Sequence, residues 1–171
     1  LERAGNYLPP LMLLLMGGVF AMKWKDWFSG YIEPKLTDDN IGVLKFICRL
    51  AIGLLLIGHG GFGAFVEKDM LINHFASIGL PADVAFIHVT GWFEIILGVV
   101  VLALPILPII WFVLIWKTLT EFLYVTDGGI INIFEFLERW GDFGVPVAMI
   151  LIINYQASQA KAKAAPEAQA A

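Results

Sequence analysis

Charge is scarce in this chain. Only 15% of the 171 residues are Asp, Glu, Lys or Arg, where a soluble domain carries about a quarter. The net charge of −4 comes without a long basic run, which excludes the electrostatic footprint of a nucleic-acid binder. Sulfur chemistry is also nearly missing. The one cysteine, Cys48, cannot form an internal disulfide, and a cysteine zinc cluster is excluded. Set in an apolar stretch, Cys48 reads as inert packing. No internal repeat, complete catalytic constellation or metal-ligand set stands out. The chain opens on Leu1 rather than Met, as a processed chain or one lacking upstream residues would.

Apolar sequence is what the chain has in quantity: 59% of residues are hydrophobic. A helix needs about 20 mostly apolar residues to cross a bilayer. Residues 41–66, 83–104 and 108–126 approach or meet this, and 144–160 do so more weakly. Residues 7–22 are uncharged, rich in Leu and Met, and carry Pro9-Pro10. They are short for a span, and a half-buried or tilted helix is equally compatible. Buried helices of a soluble core are excluded, because too little polar sequence remains to cover several all-apolar helices. The expected fold is all-α: an integral membrane four-helix bundle with an additional N-terminal membrane or interfacial helix. The expected divisions are 1–40 for the N-terminal helix and interfacial segment, 41–156 for the bundle, and 157–171 for a disordered Ala-rich tail.

The connections add detail. Trp24, Lys25, Trp27 and Tyr31 form the mix that sits at a membrane–water interface. Residues 67–82 predict a short surface helix with Asp69 as its cap, Gly79 at its end and Pro81 beyond. Pro105-Ile106-Leu107-Pro108 makes a tight helical hairpin. Residues 127–142 predict a second short helix, with Asn132 and Glu135 spaced as a capping box and Gly141 as its stop. Lys23, Lys25, Lys35, Lys45, Arg49, Lys161 and Lys163 gather at one face, and Arg3, Lys68 and Arg139 at the other. The first face is therefore expected in the cytoplasm, with the tail. The N-terminus lies outside if there are five spans and inside if there are four.

Ionisable side chains within a span are costly and mark a partner or a function. Here they are His59, His88, Glu94, Lys117 and Glu121. Counting outward from the turn at Ile106 puts Glu94 level with Thr118, beside Lys117. Lys117 and Glu121 are also i, i+4 on one helix face. The set reads either as a structural ion pair or as a proton relay. His59 and His88 fall at matching depth on neighbouring helices. His59 lies within Gly58-His59-Gly60-Gly61-Phe62-Gly63, and glycines this dense need a reason. They allow close helix packing, or leave room for a flat ligand: a quinone head group, or a haem or chlorophyll-type ring ligated by imidazole. His74 reads as an incidental loop residue.

At these residues the chain resembles the DoxX/DoxD family of small four-helix membrane proteins. The resemblance is carried by Arg49-Leu-Ala-Ile-Gly-Leu-Leu, His59-Gly60, Gly79-Leu80-Pro81, and Glu94 followed by Gly98, in order from about residue 43 to 156. It implies a four-helix bundle with cytoplasmic termini and, in one branch, a subunit of a thiosulfate:quinone oxidoreductase. Arg49, His59 and Glu94 are the positions that carry over. Two features depart from the family pattern: the Pro-Ile-Leu-Pro turn and the Lys117/Glu121 pair.

Three functions follow as expectations. The first is a quinone-linked redox subunit of the inner membrane, with His59, His88 and Arg49 at the ligand and Glu94, Lys117 and Glu121 relaying protons. The second is a non-catalytic accessory subunit of a large respiratory or photosynthetic membrane assembly. The third is a haem- or chlorophyll-binding subunit. All three place the chain among lipid and other membrane subunits.

Overall fold

The computed structural model describes residues 3–16, 23–25, 37–80 and 83–169, the side chains of residues 13, 15 and 164–169 excepted. Trp27, Tyr31, Lys35, Pro81 and residues 17–22 lie outside these. The described residues hold helices and turns and no strand. The helices are α1 (Ala4–Met16), α2 (Asp38–Gly61), α3 (Asp69–Ala76), α4 (Val84–Ala103), α5 (Leu107–Gly128), α6 (Ile133–Glu138) and α7 (Trp140–Gln169).

Three helices are long and apolar enough to cross a membrane: α2 with its extension to Val66, α4, and α5. Their outward faces carry Val89, Ile96, Ile115 and Leu119, each more than half exposed. A continuous apolar belt of this kind marks a lipid-facing surface, and the chain is a multi-pass membrane protein. α7 runs antiparallel to α5 and completes a bundle of four long helices. It extends as helix through residues expected to be a disordered tail. The reason is compositional: Ala, Gln and Lys are poor core formers but strong helix formers.

Local chemistry sets the helix ends. Thr37 and Asp83 cap α2 and α4 by accepting from the backbone N–H groups of Asn40 and Phe86. Leu104, Pro105 and Ile106 make the expected tight turn, closed by the Ile106 N–H donating to Leu104 O. α2 passes into one π-helical stretch, Phe62–Val66, and stops at Glu67, whose φ of 52° is left-handed. Asp69 is not the cap of α3 but its first residue, the N-cap being Lys68 without a side-chain hydrogen bond, and Gly79 follows the helix at φ 78°. The predicted capping box does not form. Asn132 makes no side-chain cap, and Glu135 turns to Arg139 instead. Gly141 is not a stop but lies in the first turn of α7, where α1 crosses it.

α2 is the central helix. It packs on α4 along a seam of glycines: Gly53 against Gly98, and Gly60 and Gly63 against Gly91. A Cβ at Gly91 would run into the backbone of Ala64 and Gly60. Gly60 and Gly63, beside His59, therefore serve close packing, and the room they leave is filled by α4 itself, whereas Gly61 meets nothing within 4 Å. α4 and α5, although joined by the tight turn, stand further apart, with Phe93, Phe112 and Trp116 filling much of the gap.

The described part of α1 is 13 residues long, about 20 Å at 1.5 Å per residue. It packs against α2 and α7. Gly5 meets Gly141 backbone to backbone, and Arg3 pairs with Glu138 at 2.9 Å. The start of α1 thus lies at the end of the bundle that holds α3 and α6, here called the loop end. Lys45–Gln156 and Lys163–Asp38 mark the opposite, lysine-rich end.

Candidate functional site

Five elements bring charge to one buried place near the loop end. α4 contributes Glu94, α5 contributes Lys117 and Glu121, α2 contributes His59, α7 contributes Asp142, and the α6–α7 junction contributes Arg139. Lys117 is the hub, at 1% side-chain exposure. Its Nζ lies 2.7 Å from Glu121 Oε1, 2.9 Å from His59 Nδ1 and 3.8 Å from Glu94 Oε1. Glu94 Oε1 also accepts from the Trp116 indole N–H at 2.8 Å. His59 reaches the other way, with Nε2 3.5 Å from Asp142 Oδ2.

The helix periods explain the convergence. Ile87, Gly91, Glu94 and Gly98 are the buried face of α4, and Ile110, Val113, Lys117 and Glu121 that of α5. Both series step by three and four, the spacing of one helix stripe. The pairing of Glu94 with Lys117 and the joint bridging of both glutamates are as the hairpin count predicts.

Two members were not legible as site residues. Arg139 Nε lies 3.3 Å from Glu121 Oε2, and the two atoms are buried without a well-formed hydrogen bond. They form the loosest joint of the cluster. The Arg139 guanidinium also sits 4.2 Å over the Tyr124 ring. Asp142 is 3% exposed, although it falls in a stretch that reads as a surface connection.

Three expectations are corrected. His88 shares neither the depth nor the direction of His59: Gly91 packs between Gly60 and Ala64, and Gly98 against Gly53, a register that sets His59 level with Glu94 and His88 nearer the loop end. His88 is half exposed and pairs with Glu67 at 2.8 Å, because residue 88 lies about 100° round the helix from Ile87. Arg49 sits near the lysine-rich end, where its guanidinium donates to the Leu102 carbonyl and satisfies an orphan acceptor at the end of α4. His74 is not incidental. It is 4% exposed, edge-on to Tyr124 with centroids 4.4 Å apart, and 3.7 Å from Asp127. Burial lowers its pKa, and Asp127 works against that shift.

A cavity of about 60 Å³ lies beside the cluster in the gap between α4 and α5. His59, His74, Thr90, Glu94, Lys117 and Tyr124 are among its walls. It has room for about four waters at ~15 Å³ each, far below the size of a drug-like ligand site. Towards the lysine-rich end the bundle is closed by Leu44, Ile47, Cys48, Ala51, Ile52, Val101, Ile110 and Met149. The polar interior is therefore a blind pocket, served from the loop end.

Donor atoms of His59, Glu121 and Asp142 lie within 4.8 Å of one another, a spacing a cation could use. Lys117 and Arg139 already occupy that neighbourhood with positive charge. Three carboxylates against two fixed cations leave one negative charge, which a single proton balances. The arrangement is suited to holding and passing protons. No protein-family model, curated protein or solved structure matches the chain.

Proposed function

We propose that the chain is a DoxX-like subunit of a quinone-linked redox complex in the cytoplasmic membrane, with its C-terminal tail in the cytoplasm. In this reading His59, Lys117, Glu121 and Asp142 exchange protons with the quinone reaction at the outer, loop end. Glu94 and Trp116 anchor the deep side. Electrons pass between the quinone and a redox partner subunit, and the cluster takes the protons that accompany them.

The observation that carries the reading is Lys117 held between His59, Glu121 and Glu94 from three helices, beside a water-sized cavity and above an apolar plug. Proton access from one side suits scalar chemistry at a membrane face and argues against transport, which needs access from both. The cavity is too small for a quinone ring. The ring approaches its edge, and water within it connects ring and cluster.

The test is quinol oxidation by the native complex isolated in mild detergent, with Glu121→Gln and His59→Gln variants. Loss of a positioned acid or base costs about 10²–10⁴-fold. A drop of at least tenfold, with subunit composition unchanged, is expected; unaltered turnover sinks the reading.

The accessory-subunit reading is favoured by one observation. Lys117 and both His59 ring nitrogens face partners within the cluster, a closed network that can serve helix packing alone. That reading expects both variants to lose subunits from the complex before they lose turnover.

A further inference from the structure

A second cavity has no part in the proton cluster. It is a partly open apolar groove of about 600 Å³ between α1, α2 and α7. Pro9, Met12 and Met16 form one wall, Leu44 and Cys48 the floor, and Ala148 part of the other wall. Pro9 and Pro10 carry no N–H, so the carbonyls of Gly5 and Asn6 lack their i+4 donors. The first turns of α1 are thus tied to α7 at Gly5–Gly141, while the groove opens between the helices below that crossing.

We propose that this groove binds one acyl chain of a zwitterionic phospholipid. The groove runs along α2, one of the membrane-spanning helices, and its lining is mostly apolar. Its length fits as well. From Asn6 to Met16 is about 15 Å of helix, half the thickness of a hydrocarbon core of about 30 Å, the span of a single leaflet. The charge at its mouth is complementary to a zwitterion. Arg3 and Glu138 stand together at the loop end, each half exposed and 2.9 Å apart, one sign for a phosphate and the other for an ammonium. The Trp140 indole, beside them, is the kind of ring that settles at the headgroup level.

The experiment uses the full chain reconstituted in phosphatidylethanolamine vesicles with a trace of phosphatidylethanolamine that carries a diazirine at its acyl terminus. Adducts after illumination are mapped by peptide mass spectrometry. Adducts concentrated at Met16 and Leu44, several-fold above those at the lipid-facing Ile96 and Leu119, are expected. Ala148→Leu and Ala148→Phe, which fill the groove progressively, should lower the groove adducts in that order while leaving Ile96 and Leu119 unchanged. Both variants are checked by circular dichroism and gel filtration, and the milder one keeps the test open if Phe prevents folding. Equal labelling of groove and belt overturns the proposal. So does groove labelling that neither variant reduces. So does a second copy of the chain crosslinked at Met16. Stronger groove labelling by phosphatidylglycerol carrying the same diazirine overturns the headgroup assignment.

Discussion

Removing the Lys117 ammonium would leave Glu121 and Glu94 facing each other in a place with almost no solvent. Breaking one side of a buried pair costs about 3–5 kcal/mol, whereas removing both sides costs much less. Lys117→Met is therefore expected to destabilise more than the double variant Lys117→Met/Glu121→Gln, a ranking read from thermal unfolding in detergent. His74 gives a pH-dependent counterpart. Its pKa is lowered in the fold by burial and by Arg139, against Asp127 and Glu121. The unfolded chain takes up a proton near pH 6.5 and the folded chain only below that. Stability from His74 is thus complete above about 6.5 and lost as pH falls through the lowered value. Protection of α3 amides, exchange being corrected for its intrinsic pH dependence, should fall between pH 7.5 and 5, and His74→Leu should blunt the change; an identical pH response in that variant contradicts it. Counting from a turn recovered the depth of Glu94 and Lys117, because depth depends on sequence distance alone. Matching His88 to His59 failed, because distance from the ends of two spans does not fix the register of the seam between them, nor the direction of a side chain around its helix. Asp142 and Arg139 were missed because each lies in a polar stretch between spans. The signal was arithmetic: two glutamates and one lysine leave a charge that the rest of the bundle must answer.

At the scale of elements, the long apolar helices were legible because crossing a bilayer demands a length and a composition that few other structures need. The glycines were legible only as a question. Their answer, a seam between α2 and α4, depends on which helix is the neighbour, and that is a tertiary fact. The seam makes opposite predictions for similar substitutions. Gly91→Ala places a methyl against backbone of Ala64 and Gly60 that cannot swing aside, and a loss of about 1–3 kcal/mol is expected. Gly42→Ala meets nothing within 4 Å, and gains up to about 1 kcal/mol from helix propensity. Thermal midpoints of the two variants, measured side by side, test the pair. The tail shows the reverse difficulty. Ala, Gln and Lys satisfy both a reading of disorder and a reading of helix, and only the start provided by α7 decides between them.

Taken whole, the molecule is polar inside at one end and apolar inside at the other. Vesicles containing the chain should consequently hold a proton gradient as well as protein-free vesicles do, measured by quenching of a pH-sensitive dye under a potassium diffusion potential. A leak above the lipid control would mean that the plug around Ile52 and Val101 is not closed. The meeting of Gly5 with Gly141 has a consequence of a different kind. α1 emerges from the ribosome before α7, and the helix that locks its start is made more than a hundred residues later. α1 can lean on α2 in the meantime, but its two prolines leave carbonyls without donors, and it is poorly suited to stand in lipid alone. Biosynthesis therefore closes the bundle like a clasp: α1 waits, unlatched, until α7 arrives.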